Sequence, residues 1–278
     1  MNPDLATLLA CPACRQQLAA TANALLCANC GAEFPIVHGV PVFLADAAGV
    51  VTVSSSHTSN AMGAEFEQIL ARGDERVLHL GAGSTATKYP GCIELEYKIF
   101  RHTDVVGDAH TLPFRDGSFD RVFSFNVFEH LRDPAGAARE ILRVLKPGGA
   151  VAVHTAFLQP LHEAPRHFFS ATEFGVREWF GDFEIEHCRV SGNFSPGFML
   201  GFLSASLLET LRESEISADA QAQIGSSRLE QWADFWHRKA DPPPGFDALL
   251  TLPQEFQKRL AAGFELLARK PASAPEQA

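Results

Sequence analysis

Four cysteines near the amino terminus have the spacing of a metal site. Cys11 and Cys14 form one Cys-x-x-Cys pair, and Cys27 and Cys30 form a second pair after twelve intervening residues. Each pair lets two thiolates converge on one ion, and four thiolates complete a closed tetrahedral shell for structural zinc. Iron in a rubredoxin-like site is the minor alternative, because the same ligands suit both metals. Two disulfides or a thioredoxin-like redox pair fit less well, since disulfides need an oxidising compartment and redox motifs seldom come as matched pairs.

A glycine turn is the second pattern that could carry chemistry. The apolar run at residues 77–80 leads directly into Gly81-Ala82-Gly83. A parallel strand ends in such a turn where a ligand approaches the backbone closely, because glycine has no side chain to block it. The next buried-strand candidate, residues 92–96, ends on the carboxylate of Glu96. Turn and carboxylate together predict a nucleotide site, although a nicotinamide-dependent oxidoreductase would show the same pair.

The elements around this turn alternate between strands and crossovers. The predicted strands after the turn are residues 92–96, 104–108, 120–127, 150–154 and 183–190, and the predicted helices begin at Asp133, as N-cap, and at a Ser170-x-x-Glu173 capping box. Only about eleven residues separate Leu80 from Cys92, so the first crossover helix must be short or irregular. This alternation predicts a parallel sheet that binds its ligand at the carboxyl ends of the strands.

Seven motifs follow one another in a specific order along this stretch. They are Gly81-x-Gly83, Glu96, Asp108-Ala109, Leu112-Pro113-Phe114, Ser118-Phe119-Asp120, Glu129-His130-Leu131 and Leu145-Lys146-Pro147-Gly148-Gly149. In this order the set resembles the class I S-adenosylmethionine (SAM)-dependent methyltransferases, most closely the branch that methylates small molecules and sugars. The resemblance covers roughly residues 76–190. It implies a Rossmann-like, doubly wound and mainly parallel α/β sheet, and an oxidoreductase would leave the Pro-Phe, Glu-His-Leu and Lys-Pro-Gly-Gly motifs unexplained.

The resemblance also implies which residues bind SAM. The set is Gly81, Ala82, Gly83, Glu96, Asp108, Ala109 and Asn126. The glycines would let the methionine portion and the ribose lie against the backbone, and Glu96 would accept both ribose hydroxyls. Asp108, with Ala109 at its backbone, would receive the adenine amino group, and Asn126 would line the methionine end. Glu94 is the alternative to Glu96, because the two point to the same face of their strand.

A loop after the predicted strand at 150–154 contains the candidates for acceptor chemistry. It carries His162, His167 and Arg166, and it lies where methyltransferases of this type bind the acceptor. His162 or His167 would act as general base, because histidine titrates near neutral pH. The alternative is a structural role, in which these histidines hydrogen-bond the backbone. A second metal site from these two histidines with His154 and Glu163 is a further, weaker alternative.

The cysteine pairs and the alternating stretch at residues 33–44 together resemble the zinc-ribbon activator protein of tRNA and protein methyltransferases. A unit of about forty residues buries too little core to fold alone, so metal binding would supply much of its folding free energy. Four domains are therefore predicted: a zinc ribbon (1–45), a linker and lead-in helix (46–75), a SAM-binding domain (76–195) and a C-terminal helical extension (196–278). In the extension, helices are expected around residues 198–213, 227–239 and 253–269, and the stripe of Leu229, Trp232, Ala233 and Trp236 is expected in their core.

Composition limits the classes of partner. The 278 residues carry a formal net charge of −10, so no overall basic field favours nucleic acid. A signal peptide is not evident, and the most apolar stretch, Phe198–Leu208, is too short to span a bilayer. We therefore expect a cytoplasmic protein. The sequence does not specify its oligomeric state.

The leading hypothesis is a SAM-dependent methyltransferase with structural zinc, acting on an oxygen or nitrogen of a small molecule or glycan. Two departures keep a second class open. His79 stands where the family usually has an acidic residue, and Thr85 replaces the third glycine of the loop. The alternative is a non-catalytic module that keeps the SAM fold and docks a protein or RNA through its zinc ribbon.

Overall fold

The structure is a computed structural model that describes residues 3–47, 49–50, 52 and 62–266. The predicted linker or lid at 45–60 lies largely outside these residues. The last predicted helix, at 253–269, is too long, because the helix ends at Leu260 and residues 261–266 are not helical. The chain divides into two compact units. Unit 1 comprises Met1–Phe157 and Pro165–Arg189, and unit 2 comprises Leu158–Ala164 and Val190–Ala278. The predicted domain boundaries stay a proposal.

The amino-terminal part of unit 1 is a small antiparallel sheet. Helix α1 (Pro3–Leu8) precedes strands β1 (Leu18–Ala20), β2 (Ala24–Cys27), β3 (Glu33–Val37) and β4 (Val40–Pro41), which pair in chain order. The expected hairpin is confirmed, because Ile36 pairs with Pro41 and Val37 pairs with Val40. His38 and Gly39 make its turn, and both have left-handed backbone angles, with φ of 51° and 83°.

The main sheet of unit 1 is parallel, as predicted. Its strands are β5 (Val77–Leu80), β6 (Cys92–Glu96), β7 (Val105–Val106), β8 (Phe119–Phe125) and β9 (Leu145–His154), in the order β7-β6-β5-β8-β9. All four neighbouring pairs run parallel. Every residue of β5 and β6 is buried, which suits strands covered on both faces. We call the edge at which the five strands end the carboxyl edge.

Helices cover both faces of this sheet, which makes it doubly wound. Helix α2 (Ala64–Arg72) packs through Leu70 on Val77 and Phe123, whereas α3 (Pro134–Val144) packs through Ile141 in the cluster that contains Leu78. Val77 and Leu78 point to opposite faces because side chains alternate along a strand. Between β5 and β6 the structure has turns and bends instead of a helix, in line with the short spacing.

Two predictions at the start and end of helix α4 (Glu173–Trp179) are wrong. The N-cap is Thr172 rather than Ser170, because the helix begins at Glu173 and Thr172 Oγ1 accepts the Gly175 N–H at 3.2 Å. Residues 183–190 form no strand. Their alternating pattern arises because Phe183 and Ile185 pack on the core from an irregular segment. The Asp133 cap is confirmed, since its Oδ1 accepts the Gly136 N–H at 2.8 Å.

The small sheet and the main sheet share one core. Leu9 and Phe43 belong to the same buried cluster as Phe114 and Ile141. Backbone hydrogen bonds join the two sheets at both ends of the segment 106–115. The Ala10 N–H donates to Pro113 O at 3.0 Å, the Arg115 N–H to Leu8 O at 2.9 Å, and the Phe43 N–H to Val106 O at 2.8 Å. The small sheet is therefore an integral part of unit 1.

Unit 2 is helical. It contains α5 (Pro196–Glu213), α6 (Ala218–Gly225), α7 (Leu229–Trp236), α8 (Phe246–Leu250) and α9 (Gln254–Leu260), so the three expected helices are present and two more were missed. The expected aromatic core is only partly right. Trp232 is half-buried and its ring centre lies 6.4 Å from that of Phe246, whereas Leu229 and Trp236 are exposed. None of the described helices is long and apolar enough to cross a membrane.

Candidate functional site

The four cysteines converge as their spacing predicts. The Sγ atoms of Cys11, Cys14, Cys27 and Cys30 all lie within 4.8 Å of one another. The Sγ atoms are 3.6 Å apart in the Cys11–Cys30 pair and 3.4 Å apart in the Cys14–Cys27 pair. These separations exclude disulfides and are close to the roughly 3.8 Å edge of a zinc–thiolate tetrahedron. The Gln16 backbone N–H lowers the pKa of Cys14 to about 6, whereas burial raises that of Cys11 to about 12.

The glycine turn after β5 has the backbone shape that the sequence predicts. Gly81 and Gly83 have φ of 71° and 65°, in the left-handed region that glycine adopts without strain. A Cβ at position 81 would overlap the Val127 Cγ2 methyl group. Ala82, between them, is buried. The backbone shape of this turn therefore favours glycine at both positions, and the space beside Val127 requires it at position 81.

Glu96 binds the glycine turn directly. Its Oε1 accepts the Gly83 N–H at 2.6 Å, and its Oε2 accepts the Tyr97 N–H at 3.1 Å. The side chain is buried, which raises its pKa, while these two N–H groups and the charge of Lys98 oppose the rise. Each carboxylate oxygen keeps a further lone pair, so Glu96 is able to accept two more hydrogen bonds from a ligand.

Glu94 lies two residues before Glu96 on β6 and has different hydrogen-bond partners. Its Oε1 accepts the Thr85 hydroxyl at 2.9 Å, and Oε2 has no hydrogen-bond partner among the described residues. Burial raises the pKa of Glu94 to about 7. His79, its neighbour on β5, is also buried, which lowers its pKa to about 4. Thr85, the residue that replaces a glycine of the family pattern, thus contributes a hydroxyl to this buried pair.

Asp108 and Ala109 follow β7 at the carboxyl edge. Asp108 is half exposed, and its Oδ1 receives both the backbone N–H and Nδ1 of His110, at 2.9 and 2.6 Å. The other nitrogen of His110 accepts the Asp133 N–H at 3.1 Å, so His110 carries its proton on Nδ1. Ala109 is buried. The Oδ2 atom of Asp108 takes no part in these bonds. His110 had not been assigned a role.

Asn126 follows β8, at the same edge. It is exposed and has φ of 57°, a left-handed angle that asparagine tolerates better than most residues. Its N–H donates to His154 O at 2.9 Å, which ties the end of β8 to the end of β9. The carboxyl edge therefore brings the glycine turn, Glu96, Asp108 and Asn126 to the ends of four adjacent strands.

Glu129, part of the Glu129-His130-Leu131 motif, lies at this edge, although the sequence did not predict it as a site residue. Glu129 is wholly buried, and its Oε2 accepts the Thr155 hydroxyl at 3.0 Å. Its Oε1 lacks a hydrogen-bond partner within the described parts of the chain. Its backbone oxygen accepts the N–H groups of Phe168 and Phe169, at 2.8 and 3.2 Å, and so holds the loop beyond β9. A fully buried glutamate cannot be recognised from sequence, because burial depends on this loop.

The two histidines predicted as general bases lie in different compact units. His167 belongs to unit 1, where its ring centre is 5.8 Å from that of His130. His162 belongs to unit 2, where its Nδ1 is 2.9 Å from Pro160 O. For His162, this contact corresponds to the alternative stated from the sequence, in which the histidine hydrogen-bonds the backbone.

Comparison with known proteins identifies two parts of the chain. Residues 86–153 match the family model described as a methyltransferase domain, and residues 2–39 match the model described as Trm112p-like protein. The chain thus combines a methyltransferase domain with a Trm112p-like amino-terminal unit, as the motifs and the cysteine pairs predicted.

The similar proteins match only in part. A 2-methyl-6-phytyl-1,4-hydroquinone methyltransferase of Synechocystis sp. is 52% identical over 48 residues, which are 17% of this chain and 15% of that protein. An uncharacterized methyltransferase of Mycobacterium sp. is 42% identical over 72 residues, 26% of this chain and 25% of the relative. The chain therefore spans a quarter or less of the length of these relatives.

One solved structure contains both parts in separate chains. It is a complex between the Haloferax volcanii Trm112 methyltransferase activator and a methyltransferase. The matched chain is 25% identical, and the match covers 42% of this chain and 66% of that chain, with a TM-score of 0.31. At that TM-score the likeness supports no conclusion about function.

Proposed function

We propose that this chain, in which a methyltransferase domain follows a Trm112p-like unit, is a SAM-dependent methyltransferase acting on an oxygen or nitrogen of a small molecule or glycan. The observation that carries the proposal is the pairing of the open glycine turn with Glu96. The 2.6 Å hydrogen bond from the Gly83 N–H to Glu96 Oε1 sets a carboxylate beside the half-buried backbone of the turn. This arrangement suits a ligand with a vicinal diol, whose two hydroxyl groups would donate hydrogen bonds to the carboxylate.

The residues at the carboxyl edge fit SAM in turn. Gly81, Ala82 and Gly83 would border its methionine portion and ribose, and Glu96 would accept the two ribose hydroxyls with its remaining lone pairs. Asp108 would accept from the adenine amino group through Oδ2, since Oδ1 is already bonded to His110. Ala109 would lie at its side, and Asn126 would line the methionine end. The similarity of residues 86–153 to methyltransferase domains supports the same reading.

When bound, SAM supplies an electrophilic methyl group on its sulfonium. The chain itself must then hold the acceptor atom in line with that group and remove a proton where the acceptor is a hydroxyl. His162 and His167 are the proposed proton acceptors, because a neutral imidazole has a nitrogen lone pair that accepts a proton. The names of the matching relatives favour a small-molecule acceptor over a macromolecule.

The four cysteines would hold one structural zinc ion. A closed shell of four thiolates leaves no position for a substrate, so this metal would stabilise the fold rather than take part in the reaction. Thiolates stay reduced in the cytoplasm, which is the location that we propose. A protein partner that binds through the zinc ribbon is a further possibility within this proposal.

Transfer of a labelled methyl group tests the proposal. The zinc-loaded chain is incubated with SAM labelled in its methyl group and with small-molecule, protein and RNA fractions of a cell extract. We expect label in the small-molecule fraction, and loss of that label in a Glu96→Gln variant. Binding of SAM without transfer to any fraction would instead favour the non-catalytic module.

A further inference from the structure

Three cationic side chains at the carboxyl edge rest on aromatic rings instead of carboxylates. Lys98 Nζ and Arg166 Cζ lie 4.9 and 4.8 Å from the centre of the same ring, that of Tyr97. Arg132 Cζ lies 4.7 Å from the ring centre of Phe168. Among the described residues, none of these three cations has a carboxylate oxygen within 4.0 Å.

This is unusual for a chain with ten more acidic than basic residues. Other cations of unit 1 do contact a carboxylate, among them Arg121, Arg143 and Lys146. Because both charges lie within 4.9 Å of one ring centre, an anion near Tyr97 would lower the repulsion between them. The aromatic face orients a guanidinium but leaves its N–H edge free, so Arg166 is able to receive an anion with two parallel hydrogen bonds.

The position of these charges relates them to the proposed SAM site. Tyr97 follows Glu96 directly, and its N–H donates to Glu96 Oε2. Arg166 belongs to the loop that Glu129 O holds through Phe168 and Phe169. The Arg166 carbonyl is itself 3.0 Å from His130 Nδ1. The unit 1 part of the segment beyond β9, which starts at Pro165, is therefore held at the carboxyl edge, with Arg166 against the ring of Tyr97, the residue that follows Glu96.

We propose that the acceptor carries an anionic group, a carboxylate or a phosphate, which Lys98 and Arg166 bind beside Tyr97, with Arg132 adding positive charge. The inference rests on the proposed function and names the substrate class of the same site. The sulfonium of SAM would add a further positive charge there, and a neutral acceptor would leave Lys98, Arg166 and Arg132 with aromatic contacts alone. An anionic acceptor neutralises them and is drawn to the site by their field.

Small anions test this site without knowledge of the acceptor. Inorganic phosphate and succinate are titrated calorimetrically into the zinc-loaded chain saturated with S-adenosylhomocysteine (SAH), at low salt. We expect at least one of them to bind, and Arg166→Gln and Lys98→Gln each to weaken that binding about tenfold or more. Arg166→Lys, which keeps the charge, should recover part of the affinity.

Arg72→Gln is the matched control, because it removes the same charge at the opposite end of the sheet, where Arg72 lies 3.6 Å from Asp74. It should leave anion binding within about twofold of the unaltered chain. Binding of neither anion, or equal binding by all variants, would overturn the inference. The preceding titration with SAH alone shows separately whether the proposed function holds.

The labelled product of the transfer reaction gives a second test. An anionic acceptor yields a methylated product that an anion-exchange resin retains at neutral pH, unless the anionic group is itself the methylated atom. To cover that case, the unlabelled acceptor fraction is passed over the resin first. We expect the resin to remove the acceptor activity. Activity that passes through the resin, or label found only in nuclease-sensitive RNA, would contradict a small anionic acceptor.

Discussion

Glu96 and Glu94 point to the same face of β6, and their partners give them different roles. Glu96 reaches the Gly83 N–H, whereas Glu94 is bonded to the Thr85 hydroxyl and is almost fully buried, at 2% exposure. The alternation along a strand places both on one face, so sequence alone could not choose between them. The choice depends on where the loop 81–91 turns back, which is a property of the folded chain.

Loss of either proposed SAM carboxylate should weaken cofactor binding. We expect Glu96→Ala and Asp108→Ala each to cost about 1–3 kcal/mol of SAH binding, the range for hydrogen bonds to charged groups. Calorimetric titration measures the effect, with Glu94→Gln as the matched control, which should bind SAH as the unaltered chain does. If both alanine variants bind like the unaltered chain, the assignment of the site is wrong.

Glu94 should make stability depend on pH. Its pKa is about 7 in the folded chain against 4.5 in the unfolded chain, so the folded state holds the proton more tightly. The free energy of unfolding should therefore fall as pH rises from 4.5 to 7 and stay lowered above pH 7, by up to about 3 kcal/mol. Glu94→Gln removes this loss.

Urea unfolding at pH 5 and pH 8 measures the pH effect at Glu94. We expect Glu94→Gln to stabilise the chain at pH 8 and to change it much less at pH 5. Glu178→Gln, at an exposed position of helix α4, is the control and should give no such difference. An equal effect of Glu94→Gln at both pH values would contradict the assigned cause.

Among the elements, the turn after β5 is the most demanding. Gly81 combines a left-handed φ of 71° with a position where a Cβ would overlap Val127, whereas Gly117 has φ of 61° and open space around it. Gly117→Ala should cost only about 1–2 kcal/mol, the backbone term alone. Gly81→Ala should cost several kcal/mol and abolish SAH binding, because it must also displace Val127.

Unfolding free energies of the two alanine variants, with SAH titration of each, test this difference. Gly117 lies just before the start of β8, at the end of the strand opposite to the carboxyl edge, so its variant should keep the SAH affinity. Equal destabilisation by the two substitutions would show that the space at position 81 does not matter.

Sequence predicted the elements whose signals are local. Asp133 with Pro134 marks the start of α3, and the apolar runs at β5 and β6 mark buried parallel strands. It failed where tertiary packing decides the outcome. Residues 183–190 alternate like a strand, but only Phe183 and Ile185 contact the core and the segment pairs with no strand. The Ser170 cap was wrong because a threonine two residues later lies closer to the helix start.

At the scale of the whole molecule, the amino-terminal ribbon and the main sheet fold as one body within unit 1. Sequence predicted the ribbon from four cysteines but not its attachment. The attachment rests on contacts between residues about a hundred positions apart, such as Arg15 Nη2 to Glu140 Oε1 at 2.9 Å. Nothing in the spacing of either segment specifies those contacts, and the same holds for Arg166 and Tyr97 at the carboxyl edge.

Removal of the metal should destabilise all of unit 1. The core cluster contains Leu9, Leu25 and Phe43 of the ribbon side, so its loss exposes apolar surface of the main sheet as well. We expect a chelator to lower the melting temperature by about 10 °C or more, reversibly on addition of zinc. Metal analysis should give one zinc per chain, lost in Cys11→Ser and kept in Cys92→Ser. Full stability without metal would contradict a structural role.

The proposed function depends on the binding of SAM by the turn after β5. Calorimetric titration of the zinc-loaded chain with SAH, the demethylated product, tests it most directly, with NAD as the control ligand. We expect micromolar binding of SAH, weakened at least about tenfold by Glu96→Ala, and no binding of NAD. A folded, zinc-loaded chain that binds no SAH, or that binds NAD instead, would contradict it.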